Sequence, residues 1–111
     1  MPALILHTNV KVEDPKRFSL DLSKFASKAL DKPETYISIS YEYNEFLTFA
    51  GNFDPAFVLV IKNEKYSNEL FGYLERELGV PDHRGYIDFH DPGGENLGHK
   101  ATIFSKLFGK K

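Results

Sequence analysis

The feature that most limits the folds open to this chain is a pattern that occurs twice: an apolar run, an amphipathic helix, then an alternating strand. In Ala3 to Asn9 the run Leu4-Ile5-Leu6 is of the kind found in strands covered on both faces. Val10 to Glu13 links it to a helix opened by Asp14-Pro15, with Asp14 offering an N-cap carboxylate and Pro15 the φ of a first helical position. Phe18, Leu22, Phe25, Ala26 and Ala29 recur at three- and four-residue spacing, and Pro33 predicts that the helix stops near Lys32. Thr35 to Tyr43 then alternates, with Ile37, Ile39, Tyr41 and Tyr43 on one side and Ser38, Ser40 and Glu42 on the other. After a loop-rich link, Asn44 to Pro55, the order repeats: an apolar strand Ala56 to Ile61, a helix Asn63 to Leu78 closed by Gly79 and Pro81, and an alternating strand Gly85 to His90.

Two β-α-β units imply an α/β fold in which crossover connections bring parallel strands into one four-stranded sheet with both helices on one face. The other face also carries apolar side chains, so it needs a partner, and symmetric self-association is the simplest one. At 111 residues the chain reads as a single domain over 1–104 followed by a basic tail, 105–111. A chain of this size buries only about two-thirds of its surface when folded alone, which also favours oligomerisation.

Composition removes several classes of function. There is no cysteine, hence no disulfide, thiolate nucleophile or zinc-thiolate centre. A net charge of −2 with interspersed signs is not a nucleic-acid footprint. No apolar run approaches the ~18 residues of a membrane span, and the N-terminus lacks the pattern of a secretory signal; the expected location is cytoplasmic, or extracellular by export without a leader. Asp88, His90, Asp91 and His99 lack a metal-ligand spacing on one element, so no metal is expected, and no cofactor is expected either. Gly93-Gly94 lies outside a strand-to-helix phosphate motif and reads as a turn.

The candidate for chemistry is Pro2. A small second residue permits removal of Met1, and the mature chain would then carry a secondary amine at the rim of a buried sheet. While Met1 is attached that nitrogen is an amide and no base. A free α-amine has a pKa of about 7.7 to 8.0, and an apolar setting with a nearby cation lowers it, leaving the amine neutral at working pH.

Met1-Pro2, Thr8-Asn9-Val10, Lys32-Pro33-Glu34 with Tyr36-Ile37, Asp54-Pro55, Tyr86-Ile87 with Phe89, and Asn96 with Gly98 together resemble the macrophage migration inhibitory factor and D-dopachrome tautomerase family, over Met1 to about Phe104. The resemblance implies a homotrimer with a pocket at each subunit interface. It implies a keto-enol tautomerase acting on a small aromatic α-keto acid or dopachrome-like compound, with Pro2 as general base and acid. Lys32 matches the lysine that lowers the amine's pKa and holds a substrate carboxylate; its structural role would be to face the C-terminal end of the first helix. Tyr86 matches the tyrosine that a neighbouring subunit contributes, although strand tyrosines commonly serve packing.

The chain departs from the family at defined positions. Asp88 stands where an asparagine is common and puts a negative charge near the substrate, and the link Lys62-Asn63-Glu64-Lys65 is shorter than in the best-known members, removing a backbone donor to the carboxylate. His99-Lys100 stand where an aromatic residue and an asparagine are frequent in the family, and the pair brings a new cation to the pocket mouth that compensates for Asp88 and the lost donor. Ala56 and Leu59 occupy the positions of a Cys-x-x-Cys found in some relatives, which excludes thiol redox activity. The alternative to an enzyme is a cytokine-like signalling or binding protein of the same fold that recognises a protein receptor; a third is a ferredoxin-like interaction module without a small-molecule site.

Overall fold

The computed structural model describes residues 2–63 and 68–90, apart from the side chain of Asp82, and the backbone alone of residues 98–99 and 102–103. Strand β1 (Ala3–Thr8), helix α1 (Pro15–Leu30) and strand β2 (Ser38–Tyr43) form the first unit; β3 (Phe57–Lys62), α2 (Glu69–Leu78) and β4 (Gly85–His90) form the second. A two-residue hairpin pairs β5 (Gly98–His99) with β6 (Thr102–Ile103).

The four main strands lie in the order β2-β1-β3-β4. Each unit pairs its own strands in parallel, and the units join antiparallel through β1 and β3. The register aligns side chains in rows across the sheet. Ile39, Leu4, Ile61 and Phe89 form one row and Tyr41, Leu6, Leu59 and Ile87 the next, both on the helix side. Against them pack Phe18, Leu22, Ala26 and Leu30 of α1 and Leu70, Leu74 and Leu78 of α2, so both helices cover one face as expected.

Local chemistry accounts for the element ends. Asp14 caps α1, its Oδ1 accepting from the Arg17 N–H at 3.1 Å. The helix ends earlier than Pro33 alone predicts, because Asp31 enters the left-handed region (φ 56°, ψ 50°) and turns the chain. Residues Glu34–Tyr36 form a 3₁₀ turn that takes up Thr35 and Tyr36, the first two positions of the expected strand, and β2 begins only at Ser38. The second helix begins at Glu69 rather than Asn63. Residues 64 and 65 of the shortened link lie outside the described residues.

Thr8 and Asn9 fasten the long link between the units. The Thr8 hydroxyl donates to the Ala56 carbonyl at 2.7 Å and accepts from the Val10 N–H. The Asn9 amide donates to the carbonyls of Leu47, Phe53 and Asp54 and accepts from the Ala56 N–H. Arg84, itself buried, donates to the Pro55 and Asp54 carbonyls from the other side and lies over the Phe49 ring.

Candidate active site

Pro2 is fully buried and sits where β1 begins, its carbonyl accepting from the Ser38 N–H at 3.1 Å. By strand alternation it belongs to the helix-facing side, with Leu4 and Leu6. A free amine here would stand in an apolar setting, and burial disfavours its protonated form.

Lys32 reaches the same end of the sheet by a different route. It follows the left-handed Asp31, and its backbone is held at both polar groups by Ser27: the Lys32 N–H donates to the Ser27 carbonyl at 3.1 Å, and the Ser27 hydroxyl donates to the Lys32 carbonyl at 2.5 Å. From Lys32 the chain passes through Pro33 and the 3₁₀ turn to Ser38, the residue bonded to Pro2. The Ser23 hydroxyl donates to Glu34 at 2.8 Å, tying that turn to α1 a second time. Tyr36, half-buried in the turn, belongs to this end as well; its sequence marks it as part of the family pattern but gives it no role in a site. A tyrosine in an alternating stretch reads as one more strand position.

The remaining candidates lie on the face turned away from the helices. There the rows are Ser38, Ala3, Lys62 and His90; then Ser40, Ile5, Val60 and Asp88; then Glu42, His7, Val58 and Tyr86. The centre of this face is apolar, with Ile5, Val58 and Val60 only partly covered, and the rims are polar. Tyr86, Asp88 and His90 stand exposed along β4 as a strip of phenol, carboxylate and imidazole, with Asp88 Oδ1 3.0 Å from His90 Nε2. Asp88 and His90 thus share one face of β4, as two-residue alternation requires, and the two are directly paired. The His99 side chain lies outside the described residues.

One chain does not bring all these groups together. The row holding Tyr86 is four residues along β1 from the row at Ala3, which is about 13 Å at roughly 3.3 Å per residue, so Tyr86 and Pro2 mark opposite ends of the sheet. Two surface hollows, of about 470 and 290 Å³, are lined by Pro15, Lys16, Ser19, Leu20 and Tyr41 and by the Val10–Asp14 link with the facing helix ends; neither contains Pro2 or Lys32. Among the described residues no group of three or more His, Asp or Glu side chains is placed to hold a metal ion. No helix among them is long and apolar enough to cross a membrane.

The family model for macrophage migration inhibitory factor matches residues 1–105 of this chain. The chain belongs to the macrophage migration inhibitory factor family. It is 31% identical to the macrophage migration inhibitory factor homolog of Trichinella spiralis, with 94% of this chain and all of the relative aligned. It is 33% identical to the homolog of Trichuris trichiura over the same shares. The solved structure of the Trichinella spiralis factor superposes with a TM-score of 0.81, at 28% identity over 92% of this chain and 99% of the other. The four-stranded mixed sheet with two helices is thus the fold of this family.

Proposed function

We propose that the protein is a tautomerase that moves a proton between carbon and oxygen of a small aromatic α-keto acid, working as a homotrimer. The observation that carries this reading is the burial of Pro2 at the same sheet end to which the α1 cap delivers Lys32. Once Met1 is removed, the Pro2 nitrogen is a secondary amine whose neutral form is favoured by burial and by a neighbouring cation. In the enol-to-keto direction the neutral amine takes the enol proton and its conjugate acid then delivers a proton to the carbon; in the reverse direction the neutral amine takes the carbon-bound proton and its conjugate acid returns one to the oxygen. Lys32 holds the substrate carboxylate, in the ground state and in the transition state alike. Tyr86, Asp88 and His99 of a second copy complete the pocket, since within one chain the strip on β4 and Pro2 are apart.

Intact mass and kinetics test this together. The mature protein is expected to lack Met1 and to tautomerise 4-hydroxyphenylpyruvate, and Pro2→Gly, which replaces the secondary amine by a primary one on a flexible residue, is expected to lower the rate at least a hundredfold. Retained Met1, or equal rates for the two proteins, would falsify the enzyme reading.

A cytokine-like binding role is the second reading, and one observation favours it. Phe46 and Phe53 stand 72% and 59% exposed on the link between the units, which Asn9 and Arg84 tie down at the carbonyls of Leu47, Phe53 and Asp54. Fixed, solvent-facing aromatics are what protein interfaces use as anchors. A Pro2→Gly protein that keeps full receptor-type binding while losing turnover would assign the two roles to separate surfaces.

A further inference from the structure

A left-handed helix C-terminal cap closes on backbone bonds to the last carbonyls of the helix, the N–H of the residue after the left-handed one included, and leaves that residue's own carbonyl without a partner in the cap. Here the left-handed residue is Asp31, and the residue after it is held at both its N–H and its C=O by one side chain's residue, Ser27. A serine inside a helix more often bonds back to a carbonyl one turn earlier. Ser27 instead points its hydroxyl forward across the cap to the Lys32 carbonyl, five residues on.

We propose that Ser27 is a positioning residue for Lys32: its forward hydrogen bond fixes the direction in which the lysine leaves the backbone, and thereby the distance from its ammonium group to a substrate carboxylate beside Pro2. This rests on the reading of Lys32 given above. The geometry has three parts. Both backbone polar groups of Lys32 are engaged by Ser27, so the peptide planes on either side of its Cα are oriented from α1. The downstream chain is anchored by Ser23 to Glu34 and by the Ser38 N–H to the Pro2 carbonyl, so the segment from Lys32 to Ser38 is tied at its two ends and in the middle. Pro33 adds a fixed φ directly after the lysine. The segment therefore relates Lys32 to Pro2 by a short, pinned route of six residues, and the Ser27 hydroxyl is the tie nearest the lysine.

Loss of that hydroxyl frees the Lys32 carbonyl and lets the peptide between Lys32 and Pro33 rotate. The substrate carboxylate is then held less well in the ground state and in the transition state alike, so the effect falls on KM rather than on kcat. Ser27→Ala is expected to raise KM for 4-hydroxyphenylpyruvate three- to tenfold with kcat within twofold, and Ser27→Thr, which keeps a hydroxyl at the same atom, to restore KM to within twofold. A general loosening of the helix end would not show this split or this rescue.

The deciding measurement is a double-mutant cycle with Lys32→Met. If Ser27 acts through Lys32, Ser27→Ala raises KM in the wild-type background and changes it less than 1.5-fold in Lys32→Met. The same four proteins titrated with phenylpropionate, a carboxylate that cannot enolise, give the cycle in Kd without turnover. Additive effects overturn the assignment of Ser27 while leaving the role of Lys32 intact. Unchanged KM and Kd in Lys32→Met itself, or no turnover and no binding in any of the four, overturn the underlying reading of the site and the Ser27 assignment with it.

Discussion

Gly85 opens β4 against the face of Phe57, and a Cβ there would come within 2.6 Å of Phe57 Cε2 and 2.7 Å of Cζ. Phe57 is fully buried and packed against Phe71, with ring centroids 5.5 Å apart, so the ring has no free direction in which to yield. Gly85→Ala is expected to cost about 1–3 kcal/mol through this overlap, read as a lower denaturation midpoint with an unchanged denaturant slope. Nothing in the sequence marks Gly85 as more than a strand boundary, because the ring that excludes a side chain belongs to a residue 28 positions earlier. Thr8 and Asn9 make the same point from the polar side. As letters they are a polar end to an apolar run; apart from the local Val10 N–H, their side chains bond carbonyls and an N–H 38 to 48 residues away, and only the folded chain brings those into reach. Pro2, by contrast, could be selected from its chemistry alone, a secondary amine once Met1 is gone, whereas Lys32 stands out among the lysines only through the resemblance to the family, and the sequence does not reveal the Ser27 bonds to its backbone.

At the level of elements, what periodicity specifies survives into the structure and what the chain does between periods does not. Helix α1 starts at Pro15 under the Asp14 cap, and β4 spans Gly85–His90 as its alternation predicts, since both depend on neighbouring residues. The end of α1 and the start of β2 differ from expectation because Asp31, not the proline, turns the chain, and a 3₁₀ turn takes up residues whose alternation looks extended. The contact between the two helices was also not readable, and it carries a titratable group. Tyr73 of α2 stacks on Phe25 of α1, centroids 4.3 Å apart and rings 20° from parallel. Burial, then the carboxylates of Glu77 and Asp21, hold its phenol above the ordinary 10.0, against a smaller opposing pull from Arg76. A phenol whose pKa is raised by folding favours the folded state fully below pH 10 and loses that contribution as the pH climbs through the raised value. Denaturant midpoints are therefore expected to fall between pH 9 and pH 11, and Tyr73→Phe to make that fall shallower; equal slopes in the two proteins would remove Tyr73 as the cause.

For the whole molecule, the sheet presents two unlike faces: one closed by α1 and α2, the other left with Ile5, Val58 and Val60 partly covered between polar rims. Alternation along single strands is enough to foresee an open face that needs a partner, but the row in which Val60 lies between Ile5 and Asp88 follows only from two long-range pairings, antiparallel between β1 and β3 and parallel between β3 and β4. In the proposed trimer that face is covered by the sheets of the other copies, which also bring Tyr86 and Asp88 of one chain towards Pro2 of the next. A charge at its centre tests this directly. Val60→Glu puts a carboxylate among Ile5, Val58 and the equivalent residues of the partners, where an unpaired buried charge costs several kcal/mol, while in a lone chain the same side chain points into water at little cost. The expected result is a wild type that scatters light as three times 12.7 kDa and a variant that scatters as one, with the same far-ultraviolet circular dichroism. If the pocket needs two chains, the variant also loses the Pro2-dependent rate although Val60 lies on the opposite side of the sheet from that proline. A monomeric variant with full activity would mean that one chain builds the site by itself, and a trimeric variant would place the subunit contact elsewhere than on this face.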